Sequence, residues 1–379
     1  MKKQDLMEHF HEAVTDPALT KTVVDAHVDG LVGDAYLMGR YRTIATSGSS
    51  GGRGVFVYGW DDWVDFGVLA TRWNIRRPTG EAEGITASMF AKKGSHISGA
   101  LHAFFADPDQ PLCHLPITMP LTRIVEGLNA AQPVVLDGYP SAIHLLAGEA
   151  RAGRLRIAPR AINTCGELLT DDIRAAAREI WGVEISDSWG LSEGIYAFSC
   201  NVGQGMHLPD DFAIIEPVDR SGAPVPPGTP ADKIYLTNLY NRTQPLIRYE
   251  VTDAMTLVDE PCACGCSHRR IDKLEGRLEE TLRYPDGAVV HPSGFCAAVM
   301  RHPEVSEYQI HQTPSGVKVF VRTEGAGAEV IAGLQSDLVA TMVEAGLDNP
   351  DAVVVEVDTF DRLWSGKLRR IVPMEGGAV

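Results

Sequence analysis

The run Pro133-Val134-Val135-Leu136-Asp137-Gly138 is apolar on consecutive positions and closes on a turn, the pattern of a strand buried on both faces. Pro140 then opens a helix that stops near Gly153, since a proline at the first helical position gives up only an N–H that the helix leaves unpaired. Arg156-Ile157-Ala158 and Ala161-Ile162-Asn163 follow on either side of a proline, and a second helix comes after Gly166-Glu167. There Thr170 stands at the cap position, and Asp171 and Asp172 suit the positive helix end. Ile173, Ala176, Ala177, Ile180 and Trp181 form the apolar stripe, and Gly182 ends it. Val183-Glu184-Ile185 reads as a short strand. Strands alternating with helices in this way call for an α/β core with a largely parallel sheet. A chain of 379 residues exceeds one ordinary core, so two domains are expected.

The octet Asp187-Ser188-Trp189-Gly190-Leu191-Ser192-Glu193-Gly194 comes after that strand, where open α/β sheets place their ligands. Trp189 offers a flat face to a ring, and Glu193 offers oxygen to a hard cation such as magnesium. The plainer reading is a loop with a packed tryptophan and a solvated glutamate. Earlier, Thr46-Ser47-Gly48-Ser49-Ser50-Gly51-Gly52-Arg53-Gly54 precedes the apolar run Val55-Phe56-Val57-Tyr58. Its small residues let backbone N–H groups approach an anion, and its four hydroxyls can ring a phosphate. The Gly-Lys-Ser/Thr ending of a Walker loop is missing, and a flexible linker has a similar composition.

Residues 3–14 read as a helix with Leu6, Met7, Phe10 and Val14 on one face. Residues 60–73 space Trp60, Trp63, Phe66, Leu69, Ala70 and Trp73 as a helix whose apolar side belongs to a core. Gly94-Ser95-His96-Ile97-Ser98-Gly99 and Leu101-His102-Ala103-Phe104-Phe105 could line a pocket, or hold a satisfied structural histidine. From about residue 212 the strands Phe212–Glu216 and Lys233–Thr237 flank a Pro/Gly-rich turn at 222–230, and Leu246–Asp253 is a further strand that ends in an acid, which suggests an antiparallel β subdomain. The last hundred residues read as a small α+β unit. It comprises a hairpin across Pro314-Ser315-Gly316, a helix over 328–345, a strand at 353–357 and a polar loop, Trp364 to Arg370.

The formal net charge of -16 argues against a nucleic-acid scaffold but leaves nucleotides open. No apolar run is long enough to cross a membrane, and the basic start Met1-Lys2-Lys3 is followed by no continuous apolar segment, so no signal peptide is expected. Seven cysteines without such a signal point to a reducing, cytoplasmic setting. Three of them crowd into Cys262-Ala263-Cys264-Gly265-Cys266, which suits a metal site better than a disulfide framework.

In order, these segments resemble the adenylate-forming ligase superfamily, and within it the phenylacetate–CoA ligase-like branch. The Ser/Gly loop resembles its phosphate loop, Gly166-Glu167 its adenine-side turn, and Asp187 to Glu193 its aromatic-Gly-x-Ser/Thr-Glu motif. Arg248-Tyr249 with Asp253 resembles its Arg-Tyr-x-x-x-Asp motif, Gly276-Arg277 its hinge, and Ser365-Gly366-Lys367 its terminal loop. The resemblance implies an N-terminal adenylation domain over residues 1–277 and a mobile C-terminal lid over 278–379. It implies ATP-dependent activation of a carboxylic acid as acyl-adenylate, with pyrophosphate released, followed by transfer to the thiol of CoA. Transfer to a carrier-protein thiol or an amine, and a non-catalytic zinc-bearing binding protein on the same fold, are the alternatives.

The resemblance also assigns roles. Thr46, Ser47, Gly48, Ser49, Ser50, Gly51 and Arg53 would hold ATP phosphates, with Arg53 standing in for the family's usual lysine. Glu193 would carry magnesium, Gly166, Glu167, Asp187, Ser188, Trp189, Gly190 and Ser192 would shape the nucleotide site, Trp189 would stack on adenine, and Asp253 would accept the ribose hydroxyls. Arg277 marks the hinge, and Lys367 would bridge the acid and the α-phosphate. His96, Ser98, Phe104, Asn163, Thr164 and Ser188 would line a pocket suited to an aryl acid. A structural zinc on Cys200, His207, Cys262 and Cys264 fits a closed Cys₃His set, with Cys266 and His268 in reserve and free thiols as the plainer reading. The short stretch before the phosphate loop leaves room for a homodimer contact.

Overall fold

A computed structural model describes residues 1–46, 53–76, 84–90, 94–105, 112–200, 202, 205–302, 304–323, 327–361 and 368–374. Its centre is a ten-stranded sheet. From one edge to the other run Pro230–Ala231, Asp253–Val258, Arg270–Arg277, Met206–His207, Ile195–Ser199, Ile185–Leu191, Ala161–Cys165, Val135–Gly138, Thr86–Ser88 and Leu112–His114. The last five are mutually parallel. The helices Pro140–Arg151 and Asp171–Trp181 make the crossovers between consecutive parallel strands, as the alternating pattern requires. Towards the other edge the ladder is antiparallel.

Several local expectations change. The strand expected at 183–185 begins at Ile185 and runs through Leu191, so most of the octet is strand and only its end is a turn. Trp189 and Ser188 on a β-pairing face explain the longer run, because their neighbours Ala197 and Phe198 give them ladder partners. Thr170 stands at the N-cap but its side chain makes no capping bond, while Gly182 ends the helix at φ 68° as expected. The N-terminal helix breaks at His9 into Lys3–Glu8 and Phe10–Ala13. In the helix Trp60–Arg76, Trp63, Phe66, Leu69 and Ala70 are buried but Trp60 is 53% exposed. Strands Ala213–Val218, Lys233–Asn238 and Tyr249–Val251 form the expected separate antiparallel sheet. Asp253–Val258 leaves it and joins the long sheet beside Arg270–Arg277.

The C-terminal unit is a four-stranded sheet in the order Asp351–Glu356, Gly316–Thr323, Val305–Thr313, Ile371–Val372. Helices Pro292–Met300 and Ala328–Glu344 cover it through Phe295, Val299, Leu334, Leu338 and Met342. These residues share one apolar cluster with Ile143, Leu146 and Ile173 of the two crossover helices. Two polar contacts cross the same boundary: His144 Nε2 lies 3.1 Å from the Val305 carbonyl, and Arg370 pairs with Glu167 at 3.6 Å. Burial holds His144 below the usual imidazole value, so it donates as a neutral ring. Among the described residues no helix is long and apolar enough to cross a membrane.

Candidate active site

The turn Ser192–Gly194 joins two antiparallel strands, with Leu191 opposite Ile195. Its three carbonyls are each held by a side chain from elsewhere. Tyr58 donates its hydroxyl to the Ser192 oxygen at 2.6 Å, Asn238 donates Nδ2 to Glu193 at 3.1 Å, and Tyr240 donates to Gly194 at 2.8 Å. Those donors leave no room at Gly194, which has φ 90°. A Cβ there would lie 2.5 Å from Asn238 Nδ2, 2.7 Å from Tyr240 Oη and 2.9 Å from Tyr58 Oη. The Glu193 side chain is therefore presented by a fixed backbone. It is 8% exposed, and burial pushes its pKa up, opposed by the hydrogen bonds it receives, the Tyr249 hydroxyl's among them. Burial and then the Glu193 charge raise Tyr249 in turn.

Trp189 lies on the strand leading into this turn and is only 6% exposed. Its indole Nε1 donates to Asp253 Oδ2 at 2.6 Å. Arg277 stands directly across the ladder from Asp253, and its Nε lies 3.4 Å from the other oxygen, Oδ1. One carboxylate thus joins the central strand and the last residue of the hinge motif. Gly276 has φ 106°, and a Cβ there would lie 2.9 Å from Pro292 Cγ, at the start of the C-terminal unit's first helix. Arg248 turns away from this point, at φ 47°, to Glu216 at 3.1 Å and the face of Tyr235.

Thr46 closes the base of the Ser/Gly loop: its backbone N–H donates to the Gly54 carbonyl at 2.9 Å, and its Oγ1 accepts the Gly54 N–H at 2.8 Å. Ser47, Gly48, Ser49, Ser50 and Gly51 lie outside the described residues, as does Lys367. Arg53 is committed elsewhere: its guanidinium pairs with Asp25 at 2.9 Å and Asp29 at 2.5 Å on the helix Lys21–Gly30. The Asp29 hydrogen bond leads the causes that raise its pKa. Two carboxylates already neutralise this cation, so the phosphate contact expected of Arg53 would have to displace them. Gly166 takes φ 79°, and the neighbouring Glu167 accepts the Ser141 N–H at 3.1 Å, at the N-terminus of helix Pro140–Arg151, besides pairing with Arg370.

Of the residues expected around the acid, three meet at the carboxyl ends of the parallel strands. Asn163 donates to Asp137 at 2.6 Å, Thr164 donates to Asp187 at 2.6 Å, and Ser188 donates to the Thr164 carbonyl at 3.0 Å while its oxygen lies 3.0 Å from the Tyr196 hydroxyl. Burial pushes Asp187 up to about 6, against the Thr164 hydrogen bond that lowers it. His96 and Ser98 share a 2.8 Å hydrogen bond at the start of helix Ile97–Phe104. Phe104 faces the helix Trp60–Arg76: its ring lies 5.9 Å from that of Trp63, and a Cβ on Gly67 would come within 2.4 Å of it.

Cys200, His207, Cys262 and Cys264 bring their sulfur and nitrogen atoms within 4.8 Å of one another. Cys200 Sγ lies 3.4 Å from Cys262 Sγ, and Cys264 Sγ lies 3.2 Å from His207 Nε2. The other ring nitrogen of His207 faces the His268 carbonyl at 3.4 Å, which orients Nε2 towards the sulfurs. The backbone N–H of Cys264 leads the causes that lower the Cys262 thiol, while burial pushes Cys264 up to about 11. Residues that sequence reasoning passed over are Tyr58, Tyr249, Asn238, Tyr240 and Arg370. Tyr249 stands inside the Arg-Tyr motif and Tyr58 closes the run after the loop, so both carried a signal; the others act across distant chain positions and carried none.

No family model matches the chain. Phenylacetate-coenzyme A ligase of Thermus thermophilus is 31% identical over 208 residues, which cover 52% of this chain and 46% of that one. The chain thus spans about half the length of that curated relative. Among solved structures, a 2-hydroxyisobutyryl-CoA ligase in its postadenylation state with 2-HIB-AMP covers 99% of this chain and 79% of its own, at a TM-score of 0.74 and 19% identity. The same ligase with CoA in its thioesterification state gives 0.58. A benzoate CoA ligase from Burkholderia xenovorans covers 90% and 69%, at 0.60 and 19% identity. The chain carries the fold of the adenylate-forming ligase superfamily and is related in sequence to its phenylacetate–CoA ligases.

Proposed function

We propose that the chain activates a small carboxylic acid, of the aryl class, as its acyl-adenylate and passes the acyl group to CoA. What carries the reading is that Trp189 and Glu193 lie on one strand and the turn that follows it, while the Trp189 indole reaches Asp253 on a separate strand, opposite the hinge residue Arg277. Asp253 accepts the ribose hydroxyls, and Trp189 presents a ring to adenine. The carboxylate oxygen of the acid attacks the α-phosphorus, and the bond to the leaving pyrophosphate breaks. The thiolate of CoA then attacks the acyl carbon, and AMP leaves. Lys367 places its ammonium between the acid and the α-phosphate in the first step. The acid is assigned to Ser188, Asn163 and Thr164, with His96 and Ser98 as further lining. The benzoate ligase likeness supports the aryl class.

Glu193 suits magnesium, because a buried carboxylate whose pKa burial has raised gains from a cation, and magnesium is commonly held by one carboxylate together with substrate phosphates. When bound, the ion offsets charge between the phosphates and the incoming acid. The Cys₃His donor set suits zinc in a closed, four-ligand site, and its role is structural. Residues 1–277 then form the adenylation domain and 278–379 the lid. ATP–pyrophosphate exchange across a panel of aryl acids tests the activity, and absence of ATP binding at millimolar concentration overturns it. Lys367→Ala should lower exchange about a hundredfold or more while sparing transfer from a supplied acyl-adenylate. Equal loss in both half-reactions would contradict the moving lid.

A further inference from the structure

The contact between Trp189 and Asp253 has a chemistry of its own. An indole carries one donor and no acceptor, and here that donor is spent on Asp253 Oδ2 at 2.6 Å. The ring cannot drift, since it is packed in a cluster with Ile195, Ala197, Leu246 and Met255. The second oxygen, Oδ1, faces Arg277 at 3.4 Å. A carboxylate oxygen has two lone pairs, so each oxygen of Asp253 is anchored through one and keeps another. The two that remain sit on adjacent oxygens, the arrangement that a vicinal diol satisfies with two hydroxyl donors. A benzene ring at position 189 would still offer a face to a base, but it has no N–H to fix the acid.

We infer that Trp189 is a positioning residue whose indole N–H orients Asp253 for both hydroxyls of a ribose, making this chain selective for ribonucleotides. The inference rests on the adenylation reading and deepens it. Stacking and sugar selection are then coupled in one side chain.

The test uses the full chain and its Trp189→Phe variant, with calorimetric binding of ATP and of 2′,3′-dideoxy-ATP. Phenylalanine keeps an aromatic face, so a loss of stacking weakens both ligands by the same factor. Loss of an ion-assisted hydrogen bond acts on ATP alone. The expectation is an ATP affinity lower by about tenfold, with the dideoxy analogue changed by less than about threefold. Equal weakening of both ligands, or no weakening, overturns the inference. A second readout needs no nucleotide: the indole N–H resonance absent from the Trp189→Phe spectrum should move in Asp253→Asn. A resonance unmoved by that change refutes the contact. If the unaltered chain binds neither nucleotide, the adenylation reading fails and takes the inference with it. If it binds ATP without preference over the dideoxy analogue, only the inference fails.

Discussion

Gly194→Ala should be among the most damaging single-methyl changes in the chain. Its φ of 90° lies in a region that L side chains avoid, at a cost of about 1–2 kcal/mol. The added carbon would also overlap Asn238 Nδ2, Tyr240 Oη and Tyr58 Oη at 2.5–2.9 Å. Tyr58 and Tyr240 donate to turn carbonyls, as does Asn238, so whichever group yields leaves a buried acceptor unpaired. Each lost bond costs about 1–3 kcal/mol, and losing two brings the total to about 3–8 kcal/mol. Gly182→Ala is the matched control. It has a similar positive φ of 68° but nothing within 4 Å of the new carbon, so only the strain of about 1–2 kcal/mol remains. Urea denaturation of both variants, at unchanged slope, measures the difference. A gap below about 1 kcal/mol would show that the three donors do not confine this turn. Gly194→Ala should also lose ATP–pyrophosphate exchange, because Glu193 moves with the backbone.

Asp187, raised to about 6 in the folded chain against the ordinary 3.8, binds more protons folded than unfolded between those values. Its contribution is full below about pH 4 and is lost as pH rises to about 6, by about 3 kcal/mol in all. Asp187→Asn should flatten the pH dependence of the urea midpoint in that window; an unchanged slope contradicts the burial effect. Metal analysis of protein purified without added zinc should give about one equivalent per chain. Cys200→Ser should lose it, and loss from Cys266→Ser with Cys200→Ser unaffected would reverse the ligand choice. Arg370→Met and Glu167→Gln, measured singly and together, should show a coupling of about 1 kcal/mol, and additive effects would show that the 3.6 Å pair does not tie the two units.

Three of the five parallel strands, at 135–138, 161–165 and from 185, were legible because helices with clear ends, marked by Pro140 and Gly182, separate them, whereas the three-residue strands Thr86–Ser88 and Leu112–His114 offered no such pattern. The local signals that misled were short-range. Val183-Glu184-Ile185 has strand composition, yet the strand is set by pairing with Ile195–Ser199, which only the turn at Gly194 brings near. Asp253 and Arg277 were both singled out by motif, but their face-to-face register depends on a hairpin whose two strands slip at bulges, and no spacing rule gives it. The pairing of Arg53, expected at the ATP phosphates, with Asp25 and Asp29 was not legible because those acids stand far back in the chain. The seat of the Phe104 ring over Gly67 was not legible, because a missing side chain shows its use only in the packing.

The two halves of the long sheet meet through a strand of only two residues, Met206–His207, which pairs with Phe198 and Ser199 on one side and with Arg270 and Ile271 on the other. Formation of that seam closes a loop of about sixty residues, so its cost falls on chain entropy. The Cys₃His cluster straddles the same closure, with Cys200 and His207 on one side and Cys262 and Cys264 on the other. A cation held there acts as a cross-link across the folding chain, holding the loop's ends together before the ladder bonds form. Refolding with metal supplied should then lose its slowest phase, whereas chelation should leave the parallel half protected from hydrogen exchange and expose the strands at 253–277 first.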